Sequence, residues 1–176
     1  MSVSQREAQM ARRSAQAVNP EWPPRFGVLV SQMPQLLEQL LACPAHFAGT
    51  RPAVPCVSGV YLFSEHGRPR YVGRTRNCNR RLADHTRPSS RENAAPFAFN
   101  LARRELAQAG QQVVGTRAEI AAYGTFSLKF AETKQRIRRM EFRFVEIHDP
   151  TVSAIFEVYA SLALGTEGEY NLFETH

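Results

Sequence analysis

Apolar and polar positions follow two different periods along this chain, and the change from one to the other marks its elements. Val60, Tyr61, Leu62 and Phe63 form a β-prone run and Tyr71-Val72 a second; the turn residues Glu65-His66-Gly67-Arg68-Pro69 lie between them. The spacing predicts a β-hairpin in which Gly67 is free to take positive φ. Beyond Gly73 the pattern becomes helical. Asn77 is placed to cap a helix on which Arg81 and His85, four residues apart, share one face near the end of the second strand. Residues 86–93 are polar and read as a loop, residues 96–109 as an amphipathic helix stopped by Gly110, residues 116–123 as a short helix and residues 126–140 as a longer one. The last of these ends in Arg136, Arg138 and Arg139, which suit the negative end of a helix dipole. Residues 141–147 alternate, predicting a strand that turns Phe142, Phe144 and Ile147 toward the core. Asp149-Pro150 ends that strand and opens a helix over residues 151–164, which is apolar nearly all round, the pattern of a buried helix.

The first third of the chain carries weaker signals. Ser4-Gln5-Arg6-Glu7 has capping-box spacing ahead of a helix reaching to about residue 16, and residues 19–24 break it. Residues 26–30 read as a short strand and residues 34–42, with leucines at helical spacing, as a short helix. Pro44, Gly49, Pro52 and Pro55 make residues 43–57 a linker. Two segments are therefore expected: an extension with its Pro-rich linker over residues 1–57, and a core domain over residues 58–176 that folds without it.

Composition narrows the class. At 176 residues, 43% hydrophobic and 22% charged, the chain has the makeup of one globular domain with an appendage. Cys43, Cys56 and Cys78 are odd in number, widely spaced and without a C-x-x-C pair, which argues against a disulfide scaffold or a zinc ribbon and for a reducing compartment. No apolar run approaches the ~20 residues of a membrane span, and no apolar signal core opens the chain. A cytoplasmic protein without membrane association is expected. The net charge is +6, and its distribution is uneven. Residues 68–91 contain eight arginines (68, 70, 74, 76, 80, 81, 87, 91) and one acid, Asp84, giving 8 − 1 = +7; the rest of the chain sums to 6 − 7 = −1. Only Lys129 and Lys134 are lysines, and arginine is the better bidentate ligand for phosphate. Such a field fits a polyphosphate partner.

One carboxylate stands out. Ser153, Glu157 and Ser161 fall at i, i+4 and i+8, a narrow polar line on the otherwise apolar last helix. A carboxylate so placed requires a cation opposite it, either an arginine or a metal ion. Glu141, Glu146, Glu167 and Glu169 are alternatives as metal ligands, the first two flanking a strand and the last two in a Gly-containing loop.

Gly59-Val60-Tyr61, then Tyr71-Val72-Gly73, then Arg81 eight positions after Gly73 and His85 four after that, resemble the GIY-YIG nuclease family. Either tripeptide alone is common in ordinary strands; the ordered set is specific. Val60 and Val72 stand in place of the isoleucines of the family name, and Arg74 sits where some repair-type relatives carry lysine. The resemblance runs from Ser58 to the C-terminus. It implies an α+β fold with a small three-stranded antiparallel sheet flanked by helices in the order β-β-α-α-β-α, preceded here by an N-terminal extension. It also implies a divalent-metal-dependent DNA endonuclease that hydrolyses phosphodiester bonds, with Glu157 holding Mg²⁺ or Mn²⁺, Arg81 on the phosphate, Tyr71 orienting water or phosphate, and Asn171 near the scissile phosphate. Tyr61 is the general base by resemblance; His85, whose ordinary pKa is nearer neutrality, is the other candidate. Arg70, Arg74, Arg76 and Arg80 are expected to contact DNA, double-stranded or branched. A sequence-specific restriction enzyme and a structure-specific repair or mobile-element nuclease both suit this build. A non-catalytic nucleic-acid-binding module is the alternative from another class.

Overall fold

The computed structural model describes residues 22–50 and 54–168. The expected helix over residues 4–16 and the candidate Asn171 lie outside them. Two compact units divide the chain, residues 1–31 and 32–176.

In the first unit, helix α1 (Pro24–Ser31) replaces the strand expected over residues 26–30. A short apolar run does not by itself distinguish strand from helix. The turn at Pro23 decides it: the amides of Phe26 and Gly27 both donate to the Pro23 carbonyl, and Pro24 has its φ preset for a first helical turn. Trp22 packs edge-on against Phe26, ring centroids 5.3 Å apart.

The second unit is α+β, and its sheet has four strands where three were expected. Helix α2 (Met33–Ala42) and a two-residue strand β1 (His46–Phe47) precede the hairpin β2 (Gly59–Glu65) and β3 (Arg68–Thr75). Four helices follow, as the sequence pattern predicts and where the order implied by the resemblance has two: α3 (Cys78–Thr86), α4 (Pro96–Gln108), α5 (Arg117–Ala122) and α6 (Gly124–Arg138). Strand β4 (Glu141–Glu146) and helix α7 (Pro150–Ala163) close the described chain. The sheet is antiparallel throughout in the order β1-β4-β2-β3. Strand β1 escapes sequence reading because two residues have no periodicity; pairing of His46 with Phe142 and Phe47 with Glu141 defines it.

Both faces of the sheet are covered, which is why β2 reads as an unbroken apolar run. On one face Tyr61, Phe63 and Phe142 pack with Leu82, Phe97, Leu101 and Ile137. On the other, Val60, Leu62, Val72 and Val145 meet Met33 and Leu40 of α2 and Phe156 and Ala160 of α7. Ile147 joins this second face with Val145 and not the face of Phe142, as strand parity requires. Met33, Leu40 and Ala48 are fully buried. Packing therefore does not break at residue 57: residues 32–50 complete the core expected to begin at residue 58.

Local signals place the helices that carry the chemistry. Asn77 caps α3 through an Oδ1 that accepts from the Arg80 amide. Asp149 caps α7, accepting from the amides of Thr151 and Val152. The tight turn of the hairpin is made by His66 and Gly67, both at positive φ. Arg136, expected only to oppose the α6 dipole, instead grips both oxygens of Glu65 and one of Glu105 and so ties the hairpin tip to α4 and α6. Helix α7 is not buried all round; Val158 and Leu162 are exposed.

Candidate functional site

Four elements bring Tyr61, Tyr71, Arg81, His85 and Glu157 together. Tyr61 on β2 lies opposite Gly73 of β3 in the ladder. A Cβ at position 73 would stand 2.4 Å from the Tyr61 hydroxyl, so the glycine there makes room for this ring. The Tyr61 hydroxyl lies 3.0 Å from His85 Nε2, both side chains being buried. His85 reaches it because the α3 cap at Asn77 sets the helix phase. Tyr71 stacks on Phe97 of α4, with centroids 4.7 Å apart and planes at 8°. His85 Nδ1 and Arg81 Nε are buried without a hydrogen-bond partner.

Glu157 finds a cation, Arg74. The Arg74 amide donates to Glu157 Oε1 at 3.1 Å and Arg74 Nε to Oε2 at 2.9 Å. Strand β3 is an edge of the sheet, and the carboxylate satisfies a backbone donor that lacks a neighbouring strand. The pair is partly open to solvent, with side-chain exposures of 54% for Arg74 and 19% for Glu157.

Electrostatics couple the group. Burial pushes the Tyr61 phenol well above its ordinary value; the neighbouring Tyr71 adds to this, Arg81 opposes it and Glu157 adds to it. Burial, and then the charge of Glu157, push Tyr71 up to about 12, against Arg81. Burial and then Arg81 push His85 down to about 3. At neutral pH both phenols and the imidazole are therefore uncharged. Burial raises the Glu157 carboxyl more than Arg74 lowers it. Arg81 is the hub, since its charge acts on the other four groups.

That balance at Glu157 tests the implied metal. Mg²⁺ keeps most of its waters and takes one or two protein oxygens, so a single carboxylate suffices. Arg74 alone does not offset the burial of this one, and a hard divalent cation would add what is missing. The donor chemistry fits.

Beside these residues runs a groove of about 920 Å³ bordered by Arg74, Arg76, Arg80 and Arg81 together with Asn77 and Ser153. Arg70, expected on the same surface, is not among its lining residues; it pairs with Glu65 at 3.2 Å at the hairpin tip. Asp84 also lines the groove, 3.9 Å from Arg80. Two cations in this region had no sequence signal. Lys134 of α6 is buried and donates to the carbonyls of Pro88 and Ser90, holding down the loop beside the groove. Arg117, at the start of α5, lies over the Phe99 ring at 4.4 Å and acts on the charge of Tyr71. Around Arg117 the sequence shows only the Thr116–Glu119 capping box, and nothing in it links position 117 to position 71.

No family model, no curated protein and no solved structure matches the chain.

The depressed pKa of His85 carries a prediction for stability. Its folded value, about 3, lies below the ordinary 6.5. Between these values the unfolded chain binds a proton that the folded chain does not, so stability is full above pH 6.5 and falls as the pH drops toward 3. The loss should reach at most about 1.4 kcal/mol per pH unit. Glu157, with its raised pKa, works in the opposite direction. Urea unfolding from pH 7 to 5, above most carboxylate titration, should show a fall in wild type that His85→Gln largely removes; equal slopes in the two proteins would mean that His85 binds its proton alike in the folded and unfolded chains.

Proposed function

We propose that the chain is a divalent-metal-dependent DNA endonuclease of the GIY-YIG type. The observation that carries this reading is the convergence of Tyr61, Tyr71, His85 and Glu157 around Arg81, which itself lines an arginine-rich groove. Folding alone does not require a tyrosine hydroxyl, a neutral histidine and an undercompensated carboxylate to gather around one guanidinium.

In this reading Arg74, Arg76 and Arg80 track the phosphate backbone, and Arg81 neutralises a non-bridging oxygen at the cleaved linkage. The Tyr61–His85 pair takes up the proton of the attacking water. His85 is uncharged and hydrogen-bonded to Tyr61, but burial and Arg81 keep it a weak base, so the pair can hold the proton only once the phosphate's negative charge offsets Arg81. Tyr71 directs its hydroxyl at the water or the phosphate. Glu157 would hold Mg²⁺ or Mn²⁺, which when bound supplies Lewis-acid stabilisation and a more acidic water. Double-stranded or branched DNA is the substrate class; a restriction enzyme and a repair or mobile-element nuclease share this chemistry.

The occupied state of Glu157, with both oxygens on Arg74, favours a second reading, a nucleic-acid-binding module without catalysis. Supercoiled, linear and branched DNA incubated with the full chain, with Mg²⁺ or with chelator, separate the two. Metal-dependent cleavage is expected. In either reading binding should weaken steeply with salt. Four groove arginines on phosphates give a slope of log K against log salt near −3.6, at about −0.9 per contact. Binding with that slope and no cleavage under any metal would leave the binding module, and a flat dependence would remove the groove from nucleic-acid contact.

A further inference from the structure

Three cations from three helices converge on alternate carbonyls of a single loop. Lys134 donates to Pro88 and Ser90, Arg117 Nη1 to Glu92 at 3.2 Å and Arg81 Nη1 to Ala94 at 3.2 Å. Lys134 is buried and serves as a pin. The two arginines differ from it, because both act on the charge of the Tyr71 hydroxyl. Helix α4 does not join them, since Tyr71 stacks on Phe97 and Arg117 lies over Phe99, on the opposite side of that helix; the loop does, through the carbonyls of Glu92 and Ala94. Arg81 and Arg117 thus come to the Tyr71 phenol from α3 and from the start of α5, held by carbonyls two residues apart.

Each guanidinium is under-served where it sits. Arg81 Nε is buried with no acceptor, and burial of Arg117 disfavours its charge. Neutral carbonyls make weaker partners for guanidinium than anionic oxygens do, and the planar fork of arginine matches phosphate. We propose that Arg117 is the second guanidinium of a phosphodiester clamp, acting with Arg81 across the Tyr71 hydroxyl, and that on substrate binding the two exchange the carbonyls of Glu92 and Ala94 for the two non-bridging oxygens of the cleaved linkage. This rests on the endonuclease reading above. It assigns one arginine to each non-bridging oxygen and makes the loop that contains Glu92 and Ala94 the element displaced by substrate.

The experiment compares wild type, Arg117→Ala and Arg117→Lys on a DNA substrate carrying a stereodefined phosphorothioate at the mapped cleavage position, together with the salt dependence of binding. Arg117→Ala should slow cleavage ~100-fold or more, as loss of one transition-state donor does. It should also abolish the rate difference between oxygen and sulfur at one of the two non-bridging positions and reduce the salt slope by about one. Lysine should restore the slope and little of the rate, because it lacks the fork. If the role of Arg117 is only to pack on Phe99, lysine restores everything and the sulfur effect is unchanged, which overturns the clamp while leaving the endonuclease reading intact. If wild type binds DNA without cutting it, the endonuclease reading fails and the salt slope alone decides whether Arg117 touches phosphate. If wild type neither binds nor cuts, both inferences fall.

Discussion

A chain that begins at residue 58 is expected to be unfolded, whereas one that begins at residue 32 is expected to fold. The shorter chain loses Met33, Leu40 and Ala48, all fully buried, as well as the partly buried Leu36 and Leu37 and the pairing of β1 with β4. Burying a large aliphatic side chain is worth about 1.5–3 kcal/mol, so Met33 and Leu40 alone contribute about 3–6 kcal/mol. Net stability of a domain is only about 5–15 kcal/mol. The deletion also partly uncovers Val60, Leu62 and Val145, leaving one face of the sheet with α7 as its remaining helical cover. Residues 32–176, by contrast, retain every residue of that cluster. Circular dichroism with urea unfolding on both fragments would check this. A cooperative transition in 58–176 matching that of 32–176 would show that α2 covers the sheet without stabilising it.

Glu157→Gln should abolish cleavage while leaving the fold and DNA binding in place. The substitution keeps shape and hydrogen-bonding capacity but removes the charge that holds the cation and that repels the phosphate backbone, so affinity should hold or rise. Stability should change little. A fully buried pair broken on one side costs about 3–5 kcal/mol, but the Arg74–Glu157 pair is partly open to water and belongs with pairs worth at most about 1 kcal/mol. Arg81→Ala should slow cleavage by ~100- to 1000-fold with a small effect on affinity, because Arg74, Arg76 and Arg80 remain in the groove. Cleavage, binding and thermal unfolding on both variants decide the matter. A Glu157→Gln protein that cuts like wild type would take Glu157 out of the active site; one that melts early and binds poorly would make the Arg74 pair a structural tie.

Much of this architecture is legible in the chain because its determinants are local. The caps at Asn77 and Asp149 act within three residues of themselves, the turn at Gly67 is set by its own φ, and the run from Val60 to Phe63 announces a strand buried on both faces. Spacing alone also put Arg81 and His85 on one face of α3. Other features depend on partners far along the chain. Strand β1 exists only through β4, some 95 positions away, and residues 32–50 join the core only because the sheet offers them an apolar face. Whether Glu157 meets an arginine, and which one, depends on how α7 crosses the edge strand β3; Arg74 and Glu157 are 83 positions apart. Arg70 and Arg74 look alike in the basic segment, yet the hairpin sends one to Glu65 at its tip and the other to the groove. Arg117 reaches the surroundings of Tyr71 only because the start of α5 meets the loop at Glu92, 25 positions earlier. By itself the sequence determined the hairpin, the capped helices and the residue types available for chemistry, since these follow from contacts within a few positions. Only the tertiary structure decided the extent of the core, the partner of Glu157 and the loop carbonyls that hold Arg81 and Arg117, because a cation's partner is chosen by distance in space.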